Sequence, residues 1–325
     1  MKKSILILII TTMLILPLSA RSSEPHNIDF LNLSFTTLPD DYLYPGYLAD
    51  PLAVNSQITY RHYEIDEIHP QSDGTEDHFD ITIGTRYNFF RISPIDHPEL
   101  GIEMDWGMAL TTFMNTHGTD LLGTDGIYYF ALALKANQWS AFRFTRHHIC
   151  AHQGDQLDTK ADGSQYIDFD DNILTNESNF VRDDYMISGS VYPLYFIDPI
   201  LPKLSKSLRI YGDFNFYAPG YDFLGKRMNE PFDHSYFWYQ YGAELVIPLE
   251  DHNKLGSLFV AGQISRWQQT AYAPNYCLEA GIIFAPGKDA QRFKFGAQIY
   301  DGQSLLNNYQ FRRAKFVGFA LTIEQ

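Results

Sequence analysis

A dense group of reactive side chains lies near the middle of the sequence. Within ten residues the chain contains Arg146, His147, His148, Cys150, His152, Gly154 and Asp155. A histidine that deprotonates a neighbouring thiol produces a strong nucleophile, which is the chemistry of acyl-transfer enzymes. The candidate catalytic residues are therefore His148, Cys150, His152 and Asp155. Their spacing alone does not define which acidic residue would orient the histidine.

Two other interpretations of this group are open. His148 and His152 could share a metal ion, or the whole group could anchor a polar loop near lipid headgroups. The sequence contains neither HExxH nor GxSxG, the motifs that mark a zinc site and a serine nucleophile. We therefore predict no metal and no cofactor, and the sequence leaves open whether the chain is an enzyme.

Composition indicates a folded, β-rich protein. The 325 residues are 45% apolar and 19% charged, which is too apolar for a disordered chain. Aromatic residues make up 15%, a bias that favours pleated sheet. The formal net charge of -15 argues against a nucleic-acid partner, because phosphate binding requires clustered Lys and Arg.

The N-terminus has the layout of a secretory signal peptide. Two lysines precede an apolar run over residues 5–15, which is followed by small residues. We assign residues 1–20 to this signal and predict cleavage after Ala20, with Ser23 as the alternative. No later apolar stretch is long enough to cross a bilayer as a helix, so a membrane-embedded chain would have to cross as strands.

From residue 53 onward, apolar residues alternate with small or polar ones between turn-rich breaks. Phe293, Phe295 and Ile299, for example, share one face of their segment. An oily face opposite a compact polar face is typical of a barrel with lipid outside and a polar lumen inside. We predict an all-β fold, an antiparallel transmembrane β-barrel of about 12 strands over residues 53–325. The predicted strands are 53–64, 78–90, 99–113, 126–135, 138–149, 184–193, 207–218, 236–247, 256–267, 275–285, 291–301 and 312–323.

Residues 21–52 show no alternation. They contain Pro25, Pro39, Pro45 and Pro51, and proline cannot donate a hydrogen bond to a sheet. We predict an extended periplasmic N-terminal arm, with a short plug of the barrel as the alternative.

Charged residues collect on the predicted inner face. Charges in a confined bore must pair or remain hydrated. A selective pore and an ion-paired, self-plugged scaffold are both compatible with them, and the balance of acidic and basic residues favours the scaffold. The predicted network comprises Glu103, Asp105, Arg143, Arg209, Asp213, Glu244, Glu279, Arg292 and Lys294.

The longest predicted outer loop, 150–183, is strongly acidic. It lacks the ligand order of an EF-hand, so we expect a solvated loop without a defined calcium site. Cys150 and Cys277 lie on strands nearly opposite each other in a twelve-strand ring. A disulfide requires Cα atoms within ~7 Å, so we expect two free thiols unless the loop folds inward and brings the two cysteines together.

Three short segments resemble a bacterial family known as domain of unknown function 1207, found in chlamydia-like bacteria. They are Leu48-Ala49-Asp50-Pro51, His148-Ile149-Cys150-Ala151-His152-Gln153-Gly154-Asp155, and Tyr300-Asp301-Gly302-Gln303-Ser304 followed by Gln310-Phe311. The family is expected to have a small hydroxyl residue where this chain has Cys150. The resemblance implies an envelope protein and supplies no activity. The strand count and the histidine also resemble outer-membrane phospholipase A, whose His-x-Ser pairing would correspond to His148-Ile149-Cys150.

Together these observations predict a bacterial outer-membrane protein with a structural or narrow-pore role. The alternative is an outer-membrane lipid hydrolase with a His/Cys site at the extracellular rim. The expected partners are outer-membrane lipids and the barrel-insertion machinery. Solute specificity and oligomeric state are not predicted.

Overall fold

The computed structural model describes residues 27–66, 76–116, 121–153, 179–197, 204–217, 237–249, 256–284, 292–309 and 312–324. The predicted signal peptide, residues 1–20, lies outside these ranges and stays a prediction. In the part of the chain that is described, no helix is both long and apolar enough to cross a membrane.

The described chain is built almost entirely of β-strands. They are β1 (Asn27–Phe30), β2 (Leu33–Thr37), β3 (Ser56–Asp66), β4 (Glu76–Pro94), β5 (Gly101–Met114), β6 (Leu121–Lys135), β7 (Ser140–Gln153), β8 (Asn179–Val191), β9 (Leu208–Tyr217), β10 (Phe237–Pro248), β11 (Ser257–Trp267), β12 (Pro274–Phe284), β13 (Arg292–Gln303) and β14 (Arg313–Glu324). Short 3-10 turns lie at Pro193–Ile197, Gln268–Thr270 and Asn307–Tyr309.

Strands β3 to β14 form a closed antiparallel barrel. Each pairs with the next along the chain, and β14 pairs with β3, with Ile323 opposite Ser56 and Ala314 opposite Asp66. Closure removes the exposed sheet edges that an open sheet would present. The predicted all-β barrel of about twelve strands is confirmed, and each predicted segment overlaps one observed strand.

Sequence alternation sets which side chains face the lumen. On β13, Lys294 and Gln298 are 3% and 2% exposed, whereas Phe295 and Ile299 are 43% and 53% exposed. A soluble protein would bury the large apolar side chains. This barrel presents them outward, where lipid is the surrounding medium, and keeps polar side chains inside.

The direction of the strands distinguishes the two ends of the barrel, called the inner and the outer end below. The N-terminal segment enters at the inner end, where β3 begins, and strands β3, β5, β7, β9, β11 and β13 end at the opposite, outer end. Before β3, the hairpin β1–β2 pairs with residues Phe90–Pro94 at the inner end of β4. Phe35 stacks on Phe90 with ring centroids 5.6 Å apart. The twelve predicted strands do not include this hairpin, because its pairing partner is a distant strand end.

Residues 38–55, called the arm segment below, run from this hairpin into the lumen. The backbone N–H of Leu43 donates to the Glu103 carboxylate on β5 (3.1 Å), and that of Leu48 donates to Glu244 on β10 (2.7 Å). Strands β5 and β10 lie on different sides of the ring, so the arm segment crosses the bore. Lumen carboxylates thus satisfy backbone donors of the arm segment that have no sheet partner.

A second obstruction lies at the outer end. The connection between β13 and β14 turns inward, so that Leu305, Leu306 and Tyr309 are at most 4% exposed. These residues pack in one apolar cluster with Phe113 of β5 and Leu122 of β6. Two segments of the chain thus occupy the bore, one from each end.

Candidate functional site

Strand β7 divides the predicted reactive group between its two faces. His147 lines the lumen, because it belongs to the row of alternate residues that faces inward. His148, Cys150 and His152 belong to the other row and lie on the outer face of the barrel. Asp155 lies outside the described residues, and its predicted role stays a prediction.

His148 contacts a buried carboxylate on the neighbouring strand. Its Nδ1 atom lies 3.0 Å from Oδ1 of Asp183, directly opposite it on β8. The side chains of His148 and Asp183 are 11% and 4% exposed. The ring of Tyr128 stacks on the imidazole with centroids 4.5 Å apart. Because Nδ1 is engaged by Asp183, the Nε2 atom is the one that can exchange a proton with another group.

Cys150 follows two residues later on the same face of β7 as His148. Opposite it on β6 is Gly126, and a Cβ atom placed there would lie 2.9 Å from the Cys150 sulfur. The glycine therefore leaves the space that the thiol occupies. His152 is exposed, two residues further toward the outer end.

This arrangement joins a nucleophile, a base and a carboxylate that orients the base. We call Cys150, His148 and Asp183 the outer-face triad. Asp183 is not among the predicted catalytic residues, because we assigned it to a solvated loop over 150–183. That assignment is wrong at both ends: β7 continues to Gln153 and β8 begins at Asn179. A His on one strand opposite an Asp on the next is the signal that could have identified it.

Most of the predicted lumen charges form ion pairs. Asp213 instead accepts hydrogen bonds from the Tyr47 hydroxyl and from Gln240 Nε2. Arg292 is exposed at the inner end of β13, outside the buried group. The buried pairs of the described chain include Arg91–Glu103 (2.6 Å), Arg143–Asp105 (2.6 Å), Arg209–Glu244 (3.3 Å), Lys294–Glu279 (2.8 Å), Arg182–Asp184 (2.8 Å) and Arg61–Asp80.

Several inward charges are absent from the predicted network. Arg91 faces the lumen because a bulge between Asn88 and Phe90 shifts the alternation of β4 by one residue. Arg182 falls in the predicted outer loop and Asp184 at the first position of a predicted strand, yet both are buried on β8. Their places follow from the observed strand boundaries.

The lumen holds a cavity of about 150 Å³ between the arm segment and the inward-turning connection. In its wall, the Arg182 guanidinium lies 4.4 Å from the ring centroid of Trp267 and 5.6 Å from that of Trp238. The Nε atom of Arg182 donates to Asp184 at 2.8 Å. Around Arg182, the wall of the cavity thus combines charged and aromatic side chains.

Asp50 of the arm segment also lines this cavity. Burial raises the pKa of its carboxyl group to about 6, and the charge of Asp213 contributes in the same direction. The backbone N–H of Leu52 donates to Asp50 at 3.0 Å and opposes the shift. The charge of the arm segment therefore changes in the mildly acidic range.

Neither cysteine of the described chain is in a disulfide: Cys150 lies on the outer face and Cys277 is buried in the lumen. Among the described residues, no group of three or more His, Cys, Asp or Glu side chains is placed to hold a metal ion.

The fold and the outer-face triad together define the class of protein. The chain is a transmembrane antiparallel barrel that resembles outer-membrane barrel proteins and carries a polar group on its outer face. The family described as "Protein of unknown function (DUF1207)" matches residues 22–173, which confirms the predicted resemblance. The match includes the arm segment and β7 and ends before the C-terminal motif. No curated protein matches the sequence of this chain.

Several solved barrels are similar in fold. The NanC porin has a TM-score of 0.44 and 9% identity, covering 84% of this chain and 100% of its own. An active-site mutant of outer membrane phospholipase A from Escherichia coli has a TM-score of 0.47 and 12% identity, covering 88% and 95%. The beta domain of the Bordetella autotransporter BrkA has a TM-score of 0.41 and 10% identity, covering 82% and 97%.

Proposed function

We propose that this chain is an outer-membrane acyl hydrolase that cleaves ester bonds of membrane lipids at the outer face of its barrel. The observation that carries the proposal is the 3.0 Å contact between His148 Nδ1 and Asp183 Oδ1, beside Cys150 on the same face. A buried carboxylate, an imidazole and a nucleophile in this order are the parts of an acyl-transfer site.

Each residue of the outer-face triad has one role in the proposed reaction. Asp183 holds the Nδ1–H of His148, and His148 Nε2 takes the thiol proton of Cys150. The thiolate attacks the ester carbonyl carbon, and the tetrahedral adduct collapses to a thioester while the alcohol leaves with the proton from His148. Water, deprotonated by His148, then attacks the thioester. The carboxylic acid is released, and the Cys150 thiolate takes the proton back from His148.

The place of the triad on β7 supports a lipid substrate. Phe142 and Phe144 are 56% and 46% exposed on the same face and belong to its lipid-facing part. His148 lies four residues beyond Phe144 toward the outer end, about 13 Å along the strand. Tyr128, stacked on His148, is of the residue type that favours the membrane–water interface. Ester groups of lipids lie at this interface, between the headgroups and the hydrocarbon.

The test is fatty-acid release from phosphatidylethanolamine vesicles that contain the purified full-length protein. The wild type should release fatty acid, and Cys150→Ala and His148→Ala should each lower the rate by at least about 10³-fold. Alkylation of the wild type with a membrane-permeable maleimide should have the same effect.

Cys277→Ala is the matched control, because Cys277 is the buried lumen thiol and contacts no part of the triad. Its rate of hydrolysis should equal that of the wild type. Hydrolysis that survives Cys150→Ala, or a wild type that releases no fatty acid, contradicts the proposal.

A structural barrel without catalysis is the second candidate. It is supported by the arm segment, since Leu43 and Leu48 are bound to carboxylates on different sides of the bore. A barrel blocked in this way should show no steady conductance in a planar bilayer. Steady conductance by the wild type would instead favour a narrow pore.

A further inference from the structure

Three consecutive inward residues of β7 present polar atoms to the lumen cavity. Arg143, Thr145 and His147 all line it. Among the described residues, Arg143 Nε, Thr145 Oγ1 and His147 Nδ1 have no hydrogen-bond partner. Buried polar groups are almost always hydrogen-bonded. A row of three such atoms along one wall therefore indicates a partner that is not part of the described chain.

Thr145 is the clearest of the three, because it is 0% exposed. His147 has one charged neighbour, but its Nδ1 atom is 4.0 Å from Asp184 Oδ2, beyond hydrogen-bond distance. Arg143 uses a terminal nitrogen for Asp105, and its Nε atom has no hydrogen-bond partner among the described residues. A hydroxyl, an imidazole N–H and a guanidinium N–H can all donate. The partner should therefore be rich in acceptors.

The charge of the cavity wall favours an anion. Arg143 and Arg86 contact the same oxygen of Asp105, at 2.6 and 3.4 Å, so two guanidiniums share one carboxylate. Arg182 also lines the wall, where its Nε atom donates to Asp184 at 2.8 Å. Among the described residues of the lining, Asp50 is the only carboxylate. Guanidinium groups form their strongest hydrogen bonds with carboxylates and phosphates.

The size and the apolar part of the wall narrow the choice of anion. A cavity of about 150 Å³ is the size that accommodates a benzene ring. Ile127, Ile149, Trp238 and Trp267 provide apolar and aromatic surface beside the donors. We propose that the cavity binds a small monocarboxylate with an aromatic or short aliphatic body, whose carboxylate accepts hydrogen bonds from the inner row of β7.

The probe is benzoate, titrated by calorimetry into the full-length protein in detergent micelles, with protein-free micelles as the blank. The wild type should show saturable binding. Thr145→Val keeps the shape of the side chain and removes the hydroxyl, and should raise the Kd about five- to tenfold. Asp50→Asn removes the carboxylate of the lining and should lower the Kd.

Thr322→Val is the matched control. Thr322 is 2% exposed and its hydroxyl also has no partner among the described residues, but it lies outside the cavity wall. Its Kd for benzoate should equal that of the wild type, as should the Kd of Cys150→Ala, whose change lies on the outer face. The second comparison separates this site from the proposed hydrolase.

Four results would overturn the inference. They are heats that do not saturate, an unchanged Kd in Thr145→Val, weaker binding in Asp50→Asn, and inorganic phosphate binding as tightly as benzoate. The first two would mean that ordered water forms the hydrogen bonds of the inward side chains of β7. The third would mean that the Asp50 carboxyl group supports the binding of benzoate instead of opposing it, and the fourth would indicate a site that recognises the negative charge alone.

Discussion

The inner row of β7 faces a bore in which the neighbouring strands also place polar side chains. On the outward face of β7, the side chains change within a few residues from apolar to polar. Phe142 and Phe144 face lipid, and His148 and Cys150 follow them toward the outer end. One strand therefore carries two polar regions, one in a polar environment and one at the edge of an apolar belt.

The two regions differ in what their polarity implies. A polar inner face is required of any membrane barrel of this width, so a charge there needs only a partner. On the outer face, a polar group near hydrocarbon is expensive, and such groups are usually functional. The outer-face triad is thus the stronger evidence for an activity, although the lumen contains many more charges.

The largest expected effect tests the outer region. Asp183→Asn should lower kcat for ester hydrolysis about 10²- to 10⁴-fold, because the amide no longer holds His148 in the required tautomer. The barrel should remain folded, which heat-modifiable migration on a gel would show. The matched control is Asp77→Asn: Asp77 contacts His62 Nδ1 at 2.7 Å in an exposed pair remote from Cys150. Equal kcat values for the two variants would contradict the role of Asp183.

The next effect tests the inner region. Glu244 holds both Arg209 on β9 and the backbone of Leu48. Glu244→Ala should lower the free energy of unfolding by about 3–5 kcal/mol, because it leaves a buried guanidinium without its carboxylate. The measurement is the urea midpoint of the folded barrel.

The control for this change is Glu64→Ala, which removes an exposed ion pair with Lys315 on the barrel surface. It should not shift the midpoint measurably. If Glu244→Ala behaves like Glu64→Ala, the bore is hydrated and the arm segment is not held by these contacts.

The sequence allows the barrel to be predicted because alternation with a period of two is visible in every spanning strand. The order of the strands around the barrel can also be predicted, because each strand pairs with the next one along the chain. The hairpin β1–β2 is different: it pairs with the far end of β4, and no local pattern indicates that contact. The arm segment is held by side chains such as Glu103, whose targets are backbone atoms without a sequence signature.

The candidate site could be predicted only in part, for a related reason. His148 and Cys150 are close in sequence, so their common face follows from alternation. Asp183 belongs to another strand, and its partner depends on the exact register of β7 and β8. Arg91 shows the same limit inside the barrel, because a single bulge reverses the face that alternation predicts.

A smaller effect concerns pH. The pKa of Asp50 rises from 3.8 to about 6 on folding, so the folded state binds this proton more tightly than the unfolded state. The resulting stabilisation is complete below pH 3.8 and is lost as the pH rises through about 6, to a total of at most about 3 kcal/mol. Urea midpoints at several pH values should show this loss in the wild type. Asp50→Asn should lack this component, and an identical pH dependence in both proteins would contradict it.

The smallest expected effect returns to the outer face. A Cβ atom at Gly126 would lie 2.9 Å from the Cys150 sulfur, so Gly126→Ala should rotate the thiol away from His148. Hydrolysis should fall by up to about 10²-fold, the cost of a reacting group displaced by about 1 Å, while the urea midpoint stays close to that of the wild type. Gly189→Ala on β8 is the control, because its added Cβ makes an ordinary 3.7 Å contact with Phe142. If activity falls in Gly126→Ala but not in Gly189→Ala, hydrolysis depends on the position of the Cys150 sulfur. A polar group with only a structural role would not show this dependence.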